Sequence, residues 1–333
     1  SAMFSGKIAA IGPRYCPSIE DKISRFSDRD RHQLFLEPEW LDSDQIYING
    51  FSTSLSEKIQ ISALQKIKGL ENCKLIRPGY AIEYDYFPSR QLKSTLETKN
   101  IAGLFLAGQI NGTSGYEEAA AQGLVSGINA AAYILKFSPL VLKRTESYIG
   151  VLIDDLITKH INEPYRMFTS SAEHRLYLRP DNVYTRLAKY AFKLNLYSPQ
   201  RDSAITNMLN EENLVKKKIS NRSRKLIKQP NRSINGVLGK KHSSKYQKET
   251  LFNVETDIKY EGYVNIERER IKKLSKLENT KIPSNINYLS IRNLSTESKE
   301  KLMLVRPETL GQASRIAGVR SSDIMLVAFS LKK

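Results

Sequence analysis

Cysteine is scarce in this 333-residue chain, which carries only Cys16 and Cys73. Two cysteines are too few for a disulfide framework, a zinc ribbon or an iron–sulfur site, and so low a number is typical of a reducing compartment. The sequence also lacks any apolar run near the roughly 18 residues that a membrane span requires, and its first residues show no secretory pattern. We therefore predict no membrane association and a cytoplasmic location, or an organelle matrix if the source is eukaryotic.

Acidic residues are too few to balance the basic ones in one part of the chain, where lysine and arginine are in excess, and this gives the protein its net charge of +17. Residues 1–135 have a net charge of −1, so residues 136–333 have a net charge of +18. The densest stretch, residues 216–248, holds 12 basic residues and no acidic one. A polyanion is the natural partner of such a surface, and nucleic acid is the commonest. The competing interpretation is a solvated, partly disordered loop.

The dinucleotide-binding fingerprint G-x-G-x-x-G is absent as well. Instead, the apolar run at 101–108 predicts a buried parallel strand, followed by a Gly-rich turn and a helix over 117–135. Glycines between a strand and a helix N-terminus let backbone N–H groups approach an anionic or electron-rich ligand, such as the isoalloxazine ring of a flavin. A purely structural connection is the competing interpretation.

Short runs separated by Gly, Pro, Asn and Asp dominate the first hundred residues. They predict one helix over 55–67 and four strands, at 7–11, 33–36, 45–48 and 74–76. After Pro139 a period near 3.6 predicts helix after helix, over 148–158, 185–196 and 261–277. Two short helices are expected within 309–331, joined near Gly318, with Ser321 or Ser322 capping the second. The predicted fold class is therefore α/β plus all-α.

Two segments carry candidate functional side chains. Cys16 lies in a Gly- and Pro-flanked loop with Arg14 and Lys22 nearby, where its pKa could be lowered for nucleophilic or acid/base chemistry, although most single cysteines are inert core residues. Residues 163–179 interleave arginines with aromatics, a mixture that contacts phosphates and stacks on unpaired bases. The alternative there is an ion-pair network with Glu163 and Glu173.

The acidic pair Glu117 and Glu118 opens the predicted helix after the Gly-rich turn. Acidic side chains in the first turn of a helix complement its dipole, and no histidine lies near them in sequence. We therefore interpret the pair as complementing the helix dipole and expect no metal site.

Nine segments resemble, in order along the chain, the tRNA uridine-5-carboxymethylaminomethyl modification enzymes of the MnmG (GidA) family. The segments are GPRYCPSIEDK at 12–22, FLEPE at 35–39, STSL at 52–55, RPGYAIEYDYF at 77–87, TLETK at 95–99, AGQINGTSGYEEAAAQG at 107–123, YIGVLIDDL at 148–156, EPYRMFTS at 163–170 and GQASRIAGV at 311–319. Nine long motifs in register are far more specific than a single Gly-rich turn.

The resemblance implies an FAD-dependent enzyme that, with the GTPase MnmE, modifies C5 of the wobble uridine in tRNA. FAD would be reduced by NADH, methylenetetrahydrofolate would give the one-carbon unit, and glycine or ammonium the amine. It implies a homodimer and part of an FAD-binding Rossmann-like domain with a strand-rich insertion, followed by a mostly helical C-terminal domain. The regions would be a nicotinamide-associated insertion at 1–98, the closing strand and helix of the FAD domain at 99–138, a tRNA-binding helical domain at 139–250 and a partner-binding subdomain at 251–333.

The same resemblance implies roles for individual residues. Cys16 would be the catalytic cysteine. The cofactor-binding residues would be Gly12, Pro13, Arg14, Tyr15, Ser18, Gly108, Gln109, Asn111, Gly112 and Gly115. The tRNA-binding residues would be Arg14, Lys22, Arg166, Arg175 and Arg179. The residues that contact MnmE would be Gly311, Gln312, Ser314 and Arg315.

One departure from the family pattern bears on activity. The family begins with a Rossmann strand and a G-x-G-x-x-G turn that hold the FAD pyrophosphate, and neither occurs in this sequence. We therefore expect the chain to correspond to the later half to two-thirds of a family member and to be inactive in isolation. The alternative function is that of a non-catalytic fragment that binds tRNA and the partner. A flavin oxidoreductase unrelated to RNA is disfavoured by the +18 charge of the second part.

Overall fold

The computed structural model describes residues 18–80, 82, 84–161 and 163–331, except for the side chain of Lys240. The predicted strand at 7–11 and the candidate residues from Gly12 to Cys16 lie outside these described residues. The described chain forms two compact units. The first contains residues 18–88, 108–119 and 161–166, and the second contains residues 89–107, 120–160 and 167–331.

The first unit contains two short helices, α1 (Ile19–Arg25) and α2 (Glu57–Leu64), and a hairpin of β1 (Phe35–Pro38) with β2 (Ile46–Asn49). The strands are antiparallel and pair from Phe35 with Asn49 to Pro38 with Ile46. This confirms two of the predicted strands to within a few residues. The strand predicted at 74–76 is wrong, because that segment is irregular, ends in a bend and pairs with no strand.

Helix α1 begins with a capping box. The Ser18 hydroxyl accepts a hydrogen bond from the backbone N–H of Asp21 at 3.1 Å, and the Asp21 carboxylate accepts one from the backbone N–H of Ser18 at 3.3 Å. The two N–H groups would otherwise lack partners at the helix start. Ser18, a predicted cofactor residue, therefore has a structural role in this unit.

The strand predicted at 101–108 is wrong. The segment turns back on residues 96–98: Thr98 N–H donates to the Leu104 carbonyl at 2.8 Å, and Leu106 N–H donates to the Leu96 carbonyl at 3.1 Å. The only sheet among the described residues is the β1–β2 hairpin, so this apolar run has no parallel strand to pair with. Ile101 remains 58% exposed, which the interior of a buried strand would not allow.

The rest of the described chain is helical. Helix α3 (Tyr116–Leu135) follows the Gly-rich turn as predicted. The helices after it are α4 (Tyr148–Thr158), α5 (Val183–Lys193), α6 (Pro199–Lys218), α7 (Asn221–Ile227), α8 (Ile234–Leu238), α9 (Lys240–Ser243), α10 (Lys248–Asn279), α11 (Thr296–Val305), α12 (Leu310–Arg315) and α13 (Ser321–Ser330). The predicted helix at 148–158 is confirmed residue for residue, and the one at 261–277 forms the second half of α10.

The predicted cap of the final helix is wrong. Arg320 occupies the N-cap of α13, and Ser321 is already its first helical residue. The buried carboxylate of Asp323, in the first turn, accepts hydrogen bonds from the hydroxyls of Ser295 and Ser298. The start of α13 is thus fixed by a contact distant in sequence, which a local capping pattern does not reveal.

Four apolar clusters lie among the described residues of the second unit, the smallest of them formed by Val151, Ala172 and Leu178. One joins Leu92, Leu96, Val125, Ile153 and Ile157. One lies among α6, α7, α8 and α10 and contains Val215, Ile219, Ile227, Ile234, Leu251, Val254 and Ile258. One lies under α11 to α13 around Tyr288 and Leu302. No helix among the described residues is both long and apolar enough to cross a membrane.

The basic stretch at 216–248 lies over the second of these clusters. Ile227 and Ile234, at 0% and 1% exposure, anchor it to the core. A partly disordered loop is therefore the wrong interpretation of this stretch.

Candidate functional site

The Gly-rich turn of the first unit is built on two glycines with left-handed backbone. Gly108 has φ +83° and Gly112 has φ +82°, values that residues with a Cβ rarely adopt. A Cβ on Gly112 would lie 3.3 Å from the ring of Tyr86. Residues Gly108–Asn111 form one turn of 3₁₀ helix, which ends just before Gly112.

Hydrogen bonds hold this turn in place. The Thr113 hydroxyl donates to the Gly108 carbonyl at 3.0 Å, and Phe87 N–H donates to the Ile110 carbonyl at 2.7 Å. Asn111 is 1% exposed, whereas Gln109 is exposed. Gln109 is therefore the predicted cofactor residue of this turn whose side chain is open to a ligand.

An ion pair occupies the start of α3. Arg166 Nε lies 3.3 Å from Glu118 Oε1, and Glu118 is only 4% exposed. A Cβ on Gly115 would approach the Glu118 carboxylate to 1.8 Å, so this glycine makes room for the ion pair. Both Glu117 and Glu118 lie in the first turn of α3, as predicted. Arg166 thus pairs with the acidic side chains that open α3, whereas Glu173 of the expected network pairs with Arg144.

Lys22 has a partner within the first unit. Its Nζ donates to the Gly50 carbonyl at 2.8 Å, and its side chain is half-buried. This contact joins α1 to the turn after β2. The structure therefore gives this predicted tRNA-binding residue a structural contact in addition to its charge.

Arg175 and Arg179, the two candidate arginines of the second unit, differ sharply. Arg179 is 8% exposed and forms ion pairs with Asp181 and Asp257. Burial opposes its charge, but these carboxylates outweigh burial and raise the pKa of its guanidinium. Arg175 is exposed, and within the described ranges no hydrogen bond or ion pair engages it. Only Arg175 of this pair presents its charge to solvent.

The predicted partner-binding residues lie mostly inside the helical bundle. Gly311 and Gln312 are buried, and Gln312 Oε1 accepts a hydrogen bond from the backbone N–H of Glu308 at 2.7 Å. Arg315 bridges the carboxylates of Asp154 and Glu278. Ser314 is the one member of the four that is exposed.

A buried arginine that sequence reasoning missed connects much of this unit. Arg144, 6% exposed, donates to Asp154 at 2.7 Å, to Asp155 at 2.9 Å and to Glu173 at 2.6 Å. Burial opposes its charge, but the three carboxylates raise the pKa of its guanidinium. Adjacent aspartates in the otherwise apolar helix α4 were the available signal, since buried carboxylates require cationic partners.

Among the described residues, no group of three or more His, Cys, Asp or Glu side chains could hold a metal ion. The Asp154 and Asp155 carboxylates are instead bound by Arg144, Arg315 and Lys159.

Substitution of Gly112 tests the role of the turn. Gly112→Ala is expected to destabilise the protein by about 1 kcal/mol or more, because alanine is strained at this φ and its Cβ meets Tyr86. We expect the absorbance of the flavin that stays bound after free FAD is removed to fall together with the stability. Gly123→Ala is the matched control, since Gly123 lies inside α3 with nothing within 4 Å of an added Cβ. That control should raise stability by about 0.5 to 1 kcal/mol. Equal effects of the two substitutions on melting temperature and flavin retention would contradict this role.

Two family models match the chain. Residues 1–138 match the model described as "Glucose inhibited division protein A", and residues 270–333 match "tRNA modifying enzyme MnmG/GidA C-terminal helical bundle". The first match contains the Gly-rich turn, and the second contains α11, α12 and α13.

Curated relatives and solved structures agree with these matches. The tRNA uridine 5-carboxymethylaminomethyl modification enzyme MnmG of Chlorobaculum tepidum is 49% identical over 99% of this chain, and that of Mycoplasmopsis synoviae is 50% identical over 100% of it. The chain covers 58% and 56% of those proteins. The structure of Aquifex aeolicus GidA in its form II crystal superposes with a TM-score of 0.82 at 46% identity, over 96% of this chain and 55% of that one. The chain thus spans a little over half the length of these relatives, and the superposition supports the predicted fold class.

Proposed function

The chain belongs to the MnmG (GidA) family of tRNA uridine modification enzymes, and on this premise we propose that it serves FAD-dependent addition of a carboxymethylaminomethyl or aminomethyl group at C5 of the wobble uridine. The observation that carries the proposal is the sequence identity of 49% and 50% to two curated MnmG proteins over nearly the whole chain. The location that goes with this activity is the cytoplasm, or an organelle matrix in a eukaryote.

The Gly-rich turn fits one part of FAD. The exposed Gln109 offers an amide to the polar edge of a flavin ring, and the left-handed backbone of Gly108 and Gly112 fixes the turn that carries it. When bound, FAD supplies redox chemistry, with NADH as the reductant. At the α3 start, Glu118 and Arg166 already fill the space beside Gly115, so the pyrophosphate would have to be held elsewhere.

The remaining catalytic roles are assigned by family motif. We assign nucleophilic or proton-donating chemistry toward the uracil ring to Cys16, and nicotinamide binding to Gly12, Pro13, Arg14, Tyr15 and Ser18. Methylenetetrahydrofolate would give the one-carbon unit, and glycine or ammonium the amine. For Ser18, both the hydroxyl and the backbone N–H are already used in the capping box of α1, so a ligand would have to displace one of these contacts.

Substrate and partner binding are assigned to the cationic and helical parts of the chain. Arg175 is the exposed arginine of the Arg–aromatic segment and therefore the strongest phosphate contact among the candidates. Arg179 and Arg166 orient neighbouring carboxylates, and their charges are partly neutralised. MnmE would dock on the bundle of α11 to α13, where Ser314 is exposed. The active assembly would be a homodimer.

A second candidate function is binding of tRNA and the partner without catalysis. One observation favours it: the apolar run at 101–108, which would close a flavin-binding sheet, forms no strand. A flavin absorbance band that survives removal of free FAD would support the catalytic proposal, and its loss would support the second candidate.

The salt dependence of tRNA affinity distinguishes both candidate functions, which require tRNA binding, from that of an oxidoreductase that does not act on RNA. Phosphate contacts release counterions, so the logarithm of the association constant should fall linearly with the logarithm of the salt concentration. We expect a slope of about −3 or steeper, measured by fluorescence anisotropy with labelled tRNA. An affinity that stays flat from low to high salt would contradict action on tRNA.

A further inference from the structure

A group of exposed cations in the basic stretch at 216–248 has no role in the proposed function so far. Its members are Lys217, Arg222, Lys225, Arg232, Lys241 and Lys245, and all six are exposed. Within the part of the chain that the structure describes, none of them reaches a carboxylate. By contrast, Lys216, Arg224 and Lys228 of the same stretch are paired with Asp257 or Glu261.

These six cations lie on one small folded body. Helices α7 and α8 pack on each other and on α10, and α9 packs on α8. The aliphatic cluster of seven side chains defined above lies beneath them. Lys217, Arg222, Lys225 and Lys241 are presented by helices of this body, and Arg232 and Lys245 by the short connections next to α8 and α9.

Lys217 and Lys225 lie in the last turns of α6 and α7, where a positive charge complements the helix dipole, but Arg222 has no such compensation. Helices α7, α8 and α9 carry no acidic residue in their first turns. Arg222 lies near the N-terminus of α7, where a positive charge opposes the helix dipole. A positive charge that opposes the dipole of its own helix and forms no ion pair does not stabilise the fold, so a binding role is the better explanation for it.

The amino-acid composition of this surface indicates which kind of partner binds it. No large apolar side chain is exposed between residues 216 and 248 among those described. A helix that binds a membrane surface needs an exposed apolar face beside its cations, and this stretch has none. A dense set of unpaired cations without an apolar face fits a phosphate backbone.

We propose that these six residues, the basic surface, bind the phosphate backbone of tRNA without reading its sequence. The inference rests on the proposed function and adds a binding surface to it. The cations lie outside the Gly-rich turn and the Arg–aromatic segment, and therefore supply affinity while other residues select the uridine. Because the arginines at 166 and 179 are already paired with carboxylates, the six cations of the basic surface add positive charge that those two residues do not offer.

The test compares two triple variants of the 333-residue chain. R222Q/K225Q/K245Q removes three cations of the basic surface. K272Q/K273Q/R292Q is the matched control, since it also removes two lysines and one arginine that are exposed and unpaired. We expect the first variant to weaken tRNA binding by about tenfold or more at low salt and to make the salt slope shallower by about 2 to 3. The control should change affinity by less than about threefold.

Folding is checked separately by melting temperature. The R222Q/K225Q/K245Q variant should melt close to the temperature of the unsubstituted protein, because loss of Arg222 relieves a charge that opposes the α7 dipole while loss of Lys225 removes one that complements it. Equal affinities and slopes for the two variants would overturn the inference while leaving the proposed function intact. Failure of the unsubstituted chain to show salt-dependent tRNA binding would instead overturn the proposed function itself.

Discussion

Cys16→Ser is expected to abolish formation of the modified uridine while leaving flavin and tRNA binding unchanged. A thiolate is the reactive form of cysteine, and the serine hydroxyl does not ionise near neutral pH, so the substitution removes the nucleophile with little change in size. The assay uses a chimera in which this chain replaces the matching 58% of the Chlorobaculum tepidum enzyme. Its product is measured by mass spectrometry of nucleosides from digested tRNA.

Cys73→Ser provides the matched control for this substitution. Cys73 is a free thiol, half-buried in the first unit and outside every segment assigned to catalysis. We expect the control to modify tRNA at the rate of the unsubstituted chimera. A Cys16→Ser chimera that still converts the wobble uridine at that rate would show that the assigned role is wrong.

Arg144→Ala is expected to lower the free energy of unfolding by about 3 to 5 kcal/mol. The substitution removes the Arg144 cation from a site in which Asp155 is 0% exposed, and leaves Asp155 with its ion pair to the half-exposed Lys159. A buried carboxylate without sufficient partners loses its hydration and gains little in return. Arg144→Lys should cost less, since it keeps the charge and loses the fork that reaches three carboxylates.

Lys301→Ala is the control for this prediction, because it removes an ion pair at the surface. Lys301 pairs with Glu297 on the surface of α11, with both side chains more than a third exposed. Surface pairs of this kind contribute about 0 to 1 kcal/mol, so the control should unfold at nearly the same denaturant concentration as the unsubstituted protein. If urea titrations gave equal losses for Arg144→Ala and Lys301→Ala, the buried network would have no special role in stability.

The parts of the fold that follow from local pattern were predictable from the sequence. Helix α4 has an apolar period near 3.6 and begins after Ser147, whose hydroxyl accepts a hydrogen bond from the backbone N–H of Gly150 at 2.9 Å. The β1–β2 hairpin likewise follows from two short alternating runs. In both cases the signal lies within about ten residues.

The parts that failed depend on distant contacts. The run at 101–108 has the composition of a buried strand, but a strand requires a neighbour, and no local pattern shows whether one exists. The first turn of α13 is fixed by serines nearly 30 residues away. Tertiary context overrides composition at these positions.

The candidate site shows the same division. The glycines of the turn were recognisable by type, and the structure gives Gly108 and Gly112 the backbone angles that require glycine. The state of each arginine was not recognisable, because Arg175 and Arg179 are alike in sequence and opposite in exposure. Arg179 pairs with Asp181, two residues away, and with Asp257 on α10, which lies 78 residues beyond it.

Nucleoside analysis of tRNA treated with the unsubstituted chimera tests the central claim most directly. The reaction would contain FAD, NADH, methylenetetrahydrofolate, glycine and a GTPase of the MnmE type, with the intact Chlorobaculum tepidum enzyme run in parallel. The account predicts that the chimera forms 5-carboxymethylaminomethyluridine at the wobble position. Unmodified uridine from a folded, tRNA-binding chimera, in the same conditions under which the intact enzyme forms the product, would contradict it.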